Sequence, residues 1–377
     1  MSASRAGLGV AVVAEQLFAP VPGGVGRYVR ALTRHLPDVA RRERGRVRWI
    51  VGRHPPQRLV AAGLDPEVTV TLRVPGRVAT RTWVGLRRPA LPAGLLGSVD
   101  LVHATSAAIP PTGGRRLVAT VHDLAFRHYP EAYPASGRRF HERAAAIAVA
   151  EAAQILVPSA ATARDLADLY GLEPGRVTVT PLGAELPAHD PGAARRLLAE
   201  LGVAGPYLLA VGTLEPRKNL LRLLAAFASA ADELPDHYLV VAGPVGWGPE
   251  LRPTYDSVRV KMAGAVDDAV LHGLYAMADA LAYPSLYEGF GLPVVEAMLH
   301  GTPVLTSDRS SLPEVAGDAA LLVDPLDEGA IAKGLVRLVD DAALRARLAR
   351  AGRARAERFT WPATAAATWA AYQEAIR

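Results

Sequence analysis

The sequence contains no cysteine in its 377 residues. Disulfides and thiolate metal sites are therefore excluded, and the absence fits a reducing cytoplasm. No apolar run reaches the roughly 20 residues that a membrane-spanning helix needs. The opening "MSASRAGLGVAVVAEQLF" is too short and too soon interrupted for a signal peptide, so "GLGVAVVAEQ" reads as a first buried strand. The expectation is a soluble, cytoplasmic protein, at most held peripherally at the inner face of the cell membrane. Lysine is absent from residues 1–185, which instead carry 24 arginines against 14 acids, while the remainder is net acidic. The arginines gather in "ARRERGRVR" (40–48), at Arg87 and Arg88, and at Arg115 and Arg116. Two readings stand for this charge: a solvated surface, or a face that meets something anionic, such as a phosphate-bearing acceptor or an acidic membrane. No aromatic residues are interleaved with these arginines as stacking platforms, which argues against nucleic acid.

What is present suits two domains. The chain is longer than one hydrophobic core usually serves, and half of it is hydrophobic. Short apolar runs alternate with helical patterns. They predict strands at 8–14, 47–52, 68–74, 99–104, 116–123, 154–159 and 176–183, then at 206–213, 237–243, 258–264, 278–285, 302–308 and 319–325. Near-continuous apolar strands imply sheets covered on both faces, hence parallel strands with helical crossovers. Helices are expected at 25–36, 134–152, 160–170, 218–231, 268–277, 291–300, 327–338, 341–356 and 361–377. Apart from the strand at 68–74, residues 54–98 carry no pattern that decides an element. Pro and Gly punctuation marks 186–203 as a linker between a domain at 1–185 and one at 204–360. Both domains read as Rossmann-like, with ligands in the cleft at the carboxyl ends of their strands.

Four turns after strands carry chemistry. In "PVPGGVGRYV", Gly23, Gly24 and Gly26 lead into a helix near Arg27. Such glycines serve either a tight turn or close backbone approach by an anion. The spacing is not G-x-G-x-x-G, and no acid ends the second strand, so NAD is disfavoured. In "VHDLAF", His122 and Asp123 stand at a strand end, where a histidine is structural or functional. In "GTLEPRKNL", Arg217 and Lys218 suit a diphosphate, with Asn219 placed to cap the next helix. In "YPSLYEGFGLPVVEAMLHG", Glu288 falls in a turn and Glu296 in the helix after it. Pro293 sits near that helix's start and Gly301 stops it. An acid at the second position could accept hydrogen bonds from the vicinal hydroxyls of a ribose, while the amides around Phe290, Gly291 and Leu292 receive phosphate or sugar oxygens. The plain alternative leaves Glu288 exposed and Glu296 offsetting the helix dipole. A glycosidase-like carboxylate pair is a third, which sits poorly with the Arg-Lys turn.

Glu288 and Glu296, separated by seven residues in "EGFGLPVVE", resemble the E-x7-E signature of retaining glycosyltransferases of family 4. The resemblance runs over nearly the whole chain, through "GGVGRYV", "VHDLAF", "GTLEPRKNL", "VVAGPVGWG", "EAMLHGTPV" and "RFTWPATA". "HDLAF", "GTLEPRKNL" and "GPVGWG" are most similar to the mannosyltransferase branch that uses GDP-mannose. One departure is Met262, near a glycine that an aromatic residue or leucine often precedes in the family. The resemblance implies a GT-B fold: two Rossmann-like domains with parallel sheets facing across a cleft, and a last helix (361–377) crossing back to the N-terminal, acceptor-binding domain. It implies that Gly23 and Gly24 approach the donor diphosphate, and that His122 meets the transferred sugar or the acceptor. Arg217 and Lys218 would neutralise the diphosphate leaving group, Glu288 would orient sugar hydroxyls, and Glu296 would hold the ribose. Phe290, Gly291 and Leu292 would complete the cradle. The implied reaction is metal-independent, consistent with the absence of any Asp-x-Asp pair, and needs no cofactor beyond the nucleotide-sugar substrate. The acceptor would be a lipid-linked, glycan or small-molecule hydroxyl. The alternatives on the same fold are a UDP-sugar donor, a nucleotide-sugar epimerase, a sugar phosphorylase, or a sugar-nucleotide binding protein without turnover.

Overall fold

The computed structural model describes residues 7–21, 23–246 and 259–377. The chain divides into two compact units. One comprises the chain up to His128, Pro134–Gly183 and Trp361–Arg377; the other comprises Tyr129–Tyr133 and Ala184–Thr360.

The first unit is built on seven strands: β1 (Gly9–Val13), β2 (Arg46–Val51), β3 (Thr69–Thr71), β4 (Leu101–Ala104), β5 (Arg116–Thr120), β6 (Gln154–Val157) and β7 (Val177–Val179). They lie in the order 3-2-1-4-5-6-7, every pair parallel. All five residues of β1 are buried, as its unbroken apolar sequence requires of a strand covered on both faces. Ile50, Val102 and Ala11 meet Trp83 and Leu96 in the core on one side. The second unit repeats the plan with β8 (Tyr207–Val211), β9 (Tyr238–Ala242), β10 (Val260–Gly264), β11 (Ala280–Tyr283), β12 (Val304–Ser307) and β13 (Leu321–Val323). Their order is 10-9-8-11-12-13, again all parallel. Leu208, Leu223, Phe227, Leu239, Ile331 and Leu335 centre its core, each such side chain contributing about 1.5–3 kcal/mol on burial. In each sheet the connections run outward in opposite directions from the central pair, β1/β4 and β8/β11. The carboxyl ends of those pairs are topological switch points, where a crevice opens for ligands.

The helix Trp361–Ala375 begins at the Trp361-Pro362 break and belongs to the first unit, against the helix Gly23–Arg42. Trp361, Thr364, Ala365, Thr368, Trp369 and Tyr372 are buried along it, the spacing of one helical face. Two expectations are corrected. The segment 186–203 is not a bare linker. Pro191–Glu200 is a helix that buries Ala194 and Leu198, lies against the helix Asp268–Met277, and starts at Asp190, whose carboxylate accepts the Ala193 N–H at 2.8 Å. The Pro and Gly that suggested a linker are its first-turn residues. The first long helix starts at Gly23 rather than near Arg27 and continues past Pro37 to Arg42. Residues 54–98, where the sequence predicted a strand but no helix, contain the helices Pro56–Ala61 and Gly76–Leu86. Among the described residues no helix is long and apolar enough to cross a membrane.

Candidate active site

The turn after β8 and the turn after β11 meet at the switch point of the second unit. Pro216–Lys218 form one 3-10 turn, ended by Asn219 at φ 59°. Asn219 does not cap the following helix. Its side-chain amide donates to the carbonyls of Pro284 (3.0 Å) and Pro325 (2.6 Å), tying the turn to the chain beyond β11 and β13. This leaves Arg217 and Lys218 side by side over the second turn. The Arg217 guanidinium donates to Glu288 Oε2 at 2.6 Å, to the Tyr287 carbonyl at 2.7 Å and to Glu215 Oε1 at 2.5 Å. Lys218 Nζ donates to Glu288 Oε1 and to the Tyr283 hydroxyl, both at 2.7 Å, and Tyr283 in turn donates to the same carboxylate oxygen. Glu288 is buried, at 7% exposure, not on an open loop. Burial alone would raise its carboxyl, but the charges of Arg217 and Lys218, with the Lys218 and Tyr283 hydrogen bonds, outweigh that and hold it at about 2. Burial pulls Lys218 down, and the Glu288 charge opposes the shift.

Backbone geometry fixes the rest of this turn. The Glu288 N–H donates to Ser310 Oγ, and Ser311 Oγ donates to the carbonyls of Glu288 and Phe290. Ser310 has φ 55°, a conformation that non-glycine residues seldom adopt and that clusters at functional sites. Gly291, at φ 104°, precedes the helix Leu292–His300, which ends on Gly301 as its sequence predicts. In that helix's first turn Pro293 carries no N–H, and the Val294 N–H donates to the Gly291 carbonyl at 3.0 Å. Glu296 lies in the second turn, buried, and accepts the Tyr275 hydroxyl at 3.1 Å. Arg217, Lys218 and Glu288 thus form one cluster, Phe290, Gly291 and Leu292 follow it directly, and Glu296 is held separately by Tyr275.

Gly23, Gly24 and His122 belong to the first unit. Gly23 and Gly24 are exposed and open their helix, Gly23 at φ 60° with nothing near where a Cβ would stand, so conformation rather than crowding calls for glycine there. His122 follows β5. Its Nε2 lies 2.8 Å from the Thr105 carbonyl, which can only accept, so Nε2 carries the proton and Nδ1 is left as the acceptor of a neutral ring. Burial lowers the His122 imidazole, partly offset by the Thr105 bond and Asp123. His122 lines a cavity of about 760 Å³ at the carboxyl ends of β1, β4 and β5.

Residues 22–186 match the family model described as Glycosyltransferase Family 4, and residues 200–355 that described as Glycosyl transferases group 1. The MMP alpha-(1->4)-mannosyltransferase of Mycolicibacterium hassiacum is 30% identical over an alignment of 408 positions, covering 94% of this chain and 95% of that protein. The chain belongs to glycosyltransferase family 4. It is accordingly an enzyme, a glycosyltransferase. The O-antigen chain mannosyltransferase B of Escherichia coli is 34% identical over 268 residues, 68% of this chain and 70% of the relative. Among solved structures, sucrose-phosphate synthase from Thermosynechococcus elongatus superposes with a TM-score of 0.72 at 24% identity, over 97% of this chain and 98% of that one. The fold is that of the GT-B glycosyltransferases.

In this glycosyltransferase the sequence motifs alone missed Glu215, Tyr283, Ser310, Ser311 and Tyr275. Glu215 was visible in "LEPRKNL", two residues before Arg217. Tyr283 closes an apolar strand, and nothing local in the sequence says that its hydroxyl meets Lys218. The stretch "VVAGPVGWG" ends at residues 247 and 248, which lie outside the described residues.

Proposed function

We propose that this glycosyltransferase moves a mannosyl group from GDP-mannose to an acceptor hydroxyl, with retention of anomeric configuration and without a metal ion. The observation that carries the reading is the Arg217–Lys218–Glu288 cluster beside the first turn of the helix Leu292–His300. Two cations and the positive end of a helix suit a diphosphate. Lys218 uses two of its three N–H groups on Tyr283 and Glu288, and among the described residues the third has no partner, which leaves it for a phosphate oxygen. Glu288 has both oxygens engaged yet keeps acceptor capacity for a sugar hydroxyl, since an ionised carboxylate offers about four lone-pair sites. Glu296 accepts the ribose hydroxyls.

As the bond from the anomeric carbon to the diphosphate oxygen breaks, negative charge grows on that oxygen. Arg217 and Lys218 stabilise it without reorganising, because Glu288, Glu215 and Tyr283 already hold them in place. The acceptor hydroxyl attacks from the same face and gives its proton to the departing phosphate. The preference for mannose is supported by the two mannosyltransferase relatives, and the metal independence by the residues that supply positive charge.

The test is a donor screen with GDP-mannose, UDP-glucose and UDP-N-acetylglucosamine, with and without EDTA, followed by NMR of the product. The expected result is transfer from GDP-mannose alone, insensitive to EDTA, giving an α-mannoside. A UDP-sugar preference, an inverted product or loss of activity in EDTA would each remove the corresponding part.

A further inference from the structure

The cavity around His122 is closed on one side by the helix Gly76–Leu86, from the segment that carries no motif. Arg77 and Arg81 stand one turn apart on that helix, and both line the cavity. Among the described residues neither makes an ion pair or a hydrogen bond. The acids that share the cavity are turned elsewhere. Glu15 accepts the Gly52 N–H at 2.6 Å and meets the His54 ring at 3.2 Å, and Asp123 accepts the Ala125 N–H at 3.0 Å. Much of the remaining wall is apolar, with the rings of Phe18, Phe126 and Phe140. Both side chains are exposed at the cavity's edge and open to a ligand, and an Arg pair with no acid engaging it fits the planar or tetrahedral oxygens of an anionic group. The volume is that of a pocket for a small molecule or the head of a larger one.

We propose that this cavity receives the acceptor, and that the acceptor carries a phosphate or carboxylate, held by Arg77 and Arg81, on an apolar body that lies against Phe18, Phe126 and Phe140. The word acceptor rests on the proposed transfer reaction; the anion site does not depend on which donor is used.

The test is calorimetry on the full chain with octyl phosphate, octanoate, octyl glucoside and glucose 6-phosphate. It is run with saturating GDP, so that the donor site cannot take the anion, and repeated without nucleotide on Lys218→Ala. One of the two octyl anions should bind at least about tenfold tighter than octyl glucoside and than glucose 6-phosphate, more weakly as salt rises. Which of the two prevails identifies the acid. Arg77→Ala/Arg81→Ala should abolish that preference and leave octyl glucoside unchanged. The inference is overturned if neither anion exceeds octyl glucoside, if glucose 6-phosphate binds as tightly as the octyl anions, or if the double variant binds like the parent. Failure of GDP to bind would instead strike the donor reading, and the Lys218→Ala series would still decide this one.

Discussion

Nδ1 of His103, in β4, lies 2.7 Å from the hydroxyl of Tyr372 in the last helix, 269 residues away in the chain. The other ring nitrogen meets Thr120 Oγ1 at 2.7 Å, and Thr120 meets Tyr28 at 3.1 Å. This fully buried polar chain fastens the C-terminal helix to the first sheet. A half-satisfied network would cost more than an apolar one, so the register of that helix is specified as well as its presence.

The same network makes stability depend on pH. Burial first, and His122 second, depress the His103 imidazole to about 3 from an ordinary 6.5. The unfolded chain therefore takes up a proton between those values that the folded chain refuses, and stability falls as pH drops through that window. One such group gives a slope of about 1.4 kcal/mol per pH unit. Urea unfolding at pH 7.5 and 5.5 should show this loss, and His103→Gln should make the slope shallower. Equal stabilities at the two pH values would contradict the assignment.

Lys218 and Glu288 tie folding to chemistry. Removing one partner of a buried ion pair strands the other, so Lys218→Met should destabilise the chain by roughly 3 kcal/mol, softened by the remaining Arg217 contact. Adding Glu288→Gln should recover much of that stability and none of the turnover, which should stay down by orders of magnitude. The comparison needs denaturant melts and initial rates on both variants. Recovery of turnover in the double variant would show that the cluster is structural.

Gly291 holds the turn between the two carboxylates at φ 104°, and a Cβ there would stand 2.7 Å from Leu312 Cδ2. Gly291→Ala should cost about 1–3 kcal/mol in backbone strain. Because Phe290 to Leu292 form the proposed cradle, donor affinity should fall with it. Thermal melts and GDP titrations test both effects, and a melting point equal to the parent's would show that the turn relaxes freely.

Twelve of the thirteen strands described lie within the runs predicted from apolar pattern, and β2 starts one residue earlier, at Arg46, because strands paired on both sides in a covered sheet leave a near-continuous apolar signature. Arg217, Lys218 and Glu288 were legible too, since they stand in turns where the pattern breaks. What was not legible depends on distance in the chain. Tyr283 and Glu215 matter through partners on another loop or two residues on, and Ser310 through its backbone conformation. The helix Gly76–Leu86 was hidden because the exposed Val78, Arg77 and Arg81 leave only a narrow apolar face, carried by Ala79, Trp83 and Val84. The helix Pro191–Glu200 was hidden by residues that mark a linker and a helix start equally well.

Glu296 is expected to act on binding and not on chemistry. Glu296→Ala should weaken GDP and donor by about tenfold or more, the loss of hydrogen bonds to a charged group, with kcat nearly kept at saturating donor. Tyr275 acts through Glu296: its hydroxyl donates to the carboxylate, and its ring stacks on His300 at 6.0 Å. Tyr275→Phe should therefore raise KM several-fold and leave kcat alone. Unchanged GDP affinity in Glu296→Ala by calorimetry would remove the ribose role.

His122 holds its proton on Nε2, facing Thr105, so Nδ1 can accept a sugar or acceptor hydroxyl only while the ring is neutral. Burial lowers its titration, so the folded ring stays neutral below the ordinary 6.5. The rate at saturating substrates should therefore stay flat as pH falls from 8 to about 6.5, and decline only further down. Asparagine can present a side-chain oxygen in the space of the ring, whereas alanine cannot. His122→Asn should keep part of the rate and lose the acid limb, while His122→Ala loses the rate by a factor of about 100. Equal rates for the parent and the alanine variant across that range would leave His122 a structural residue of β5's end.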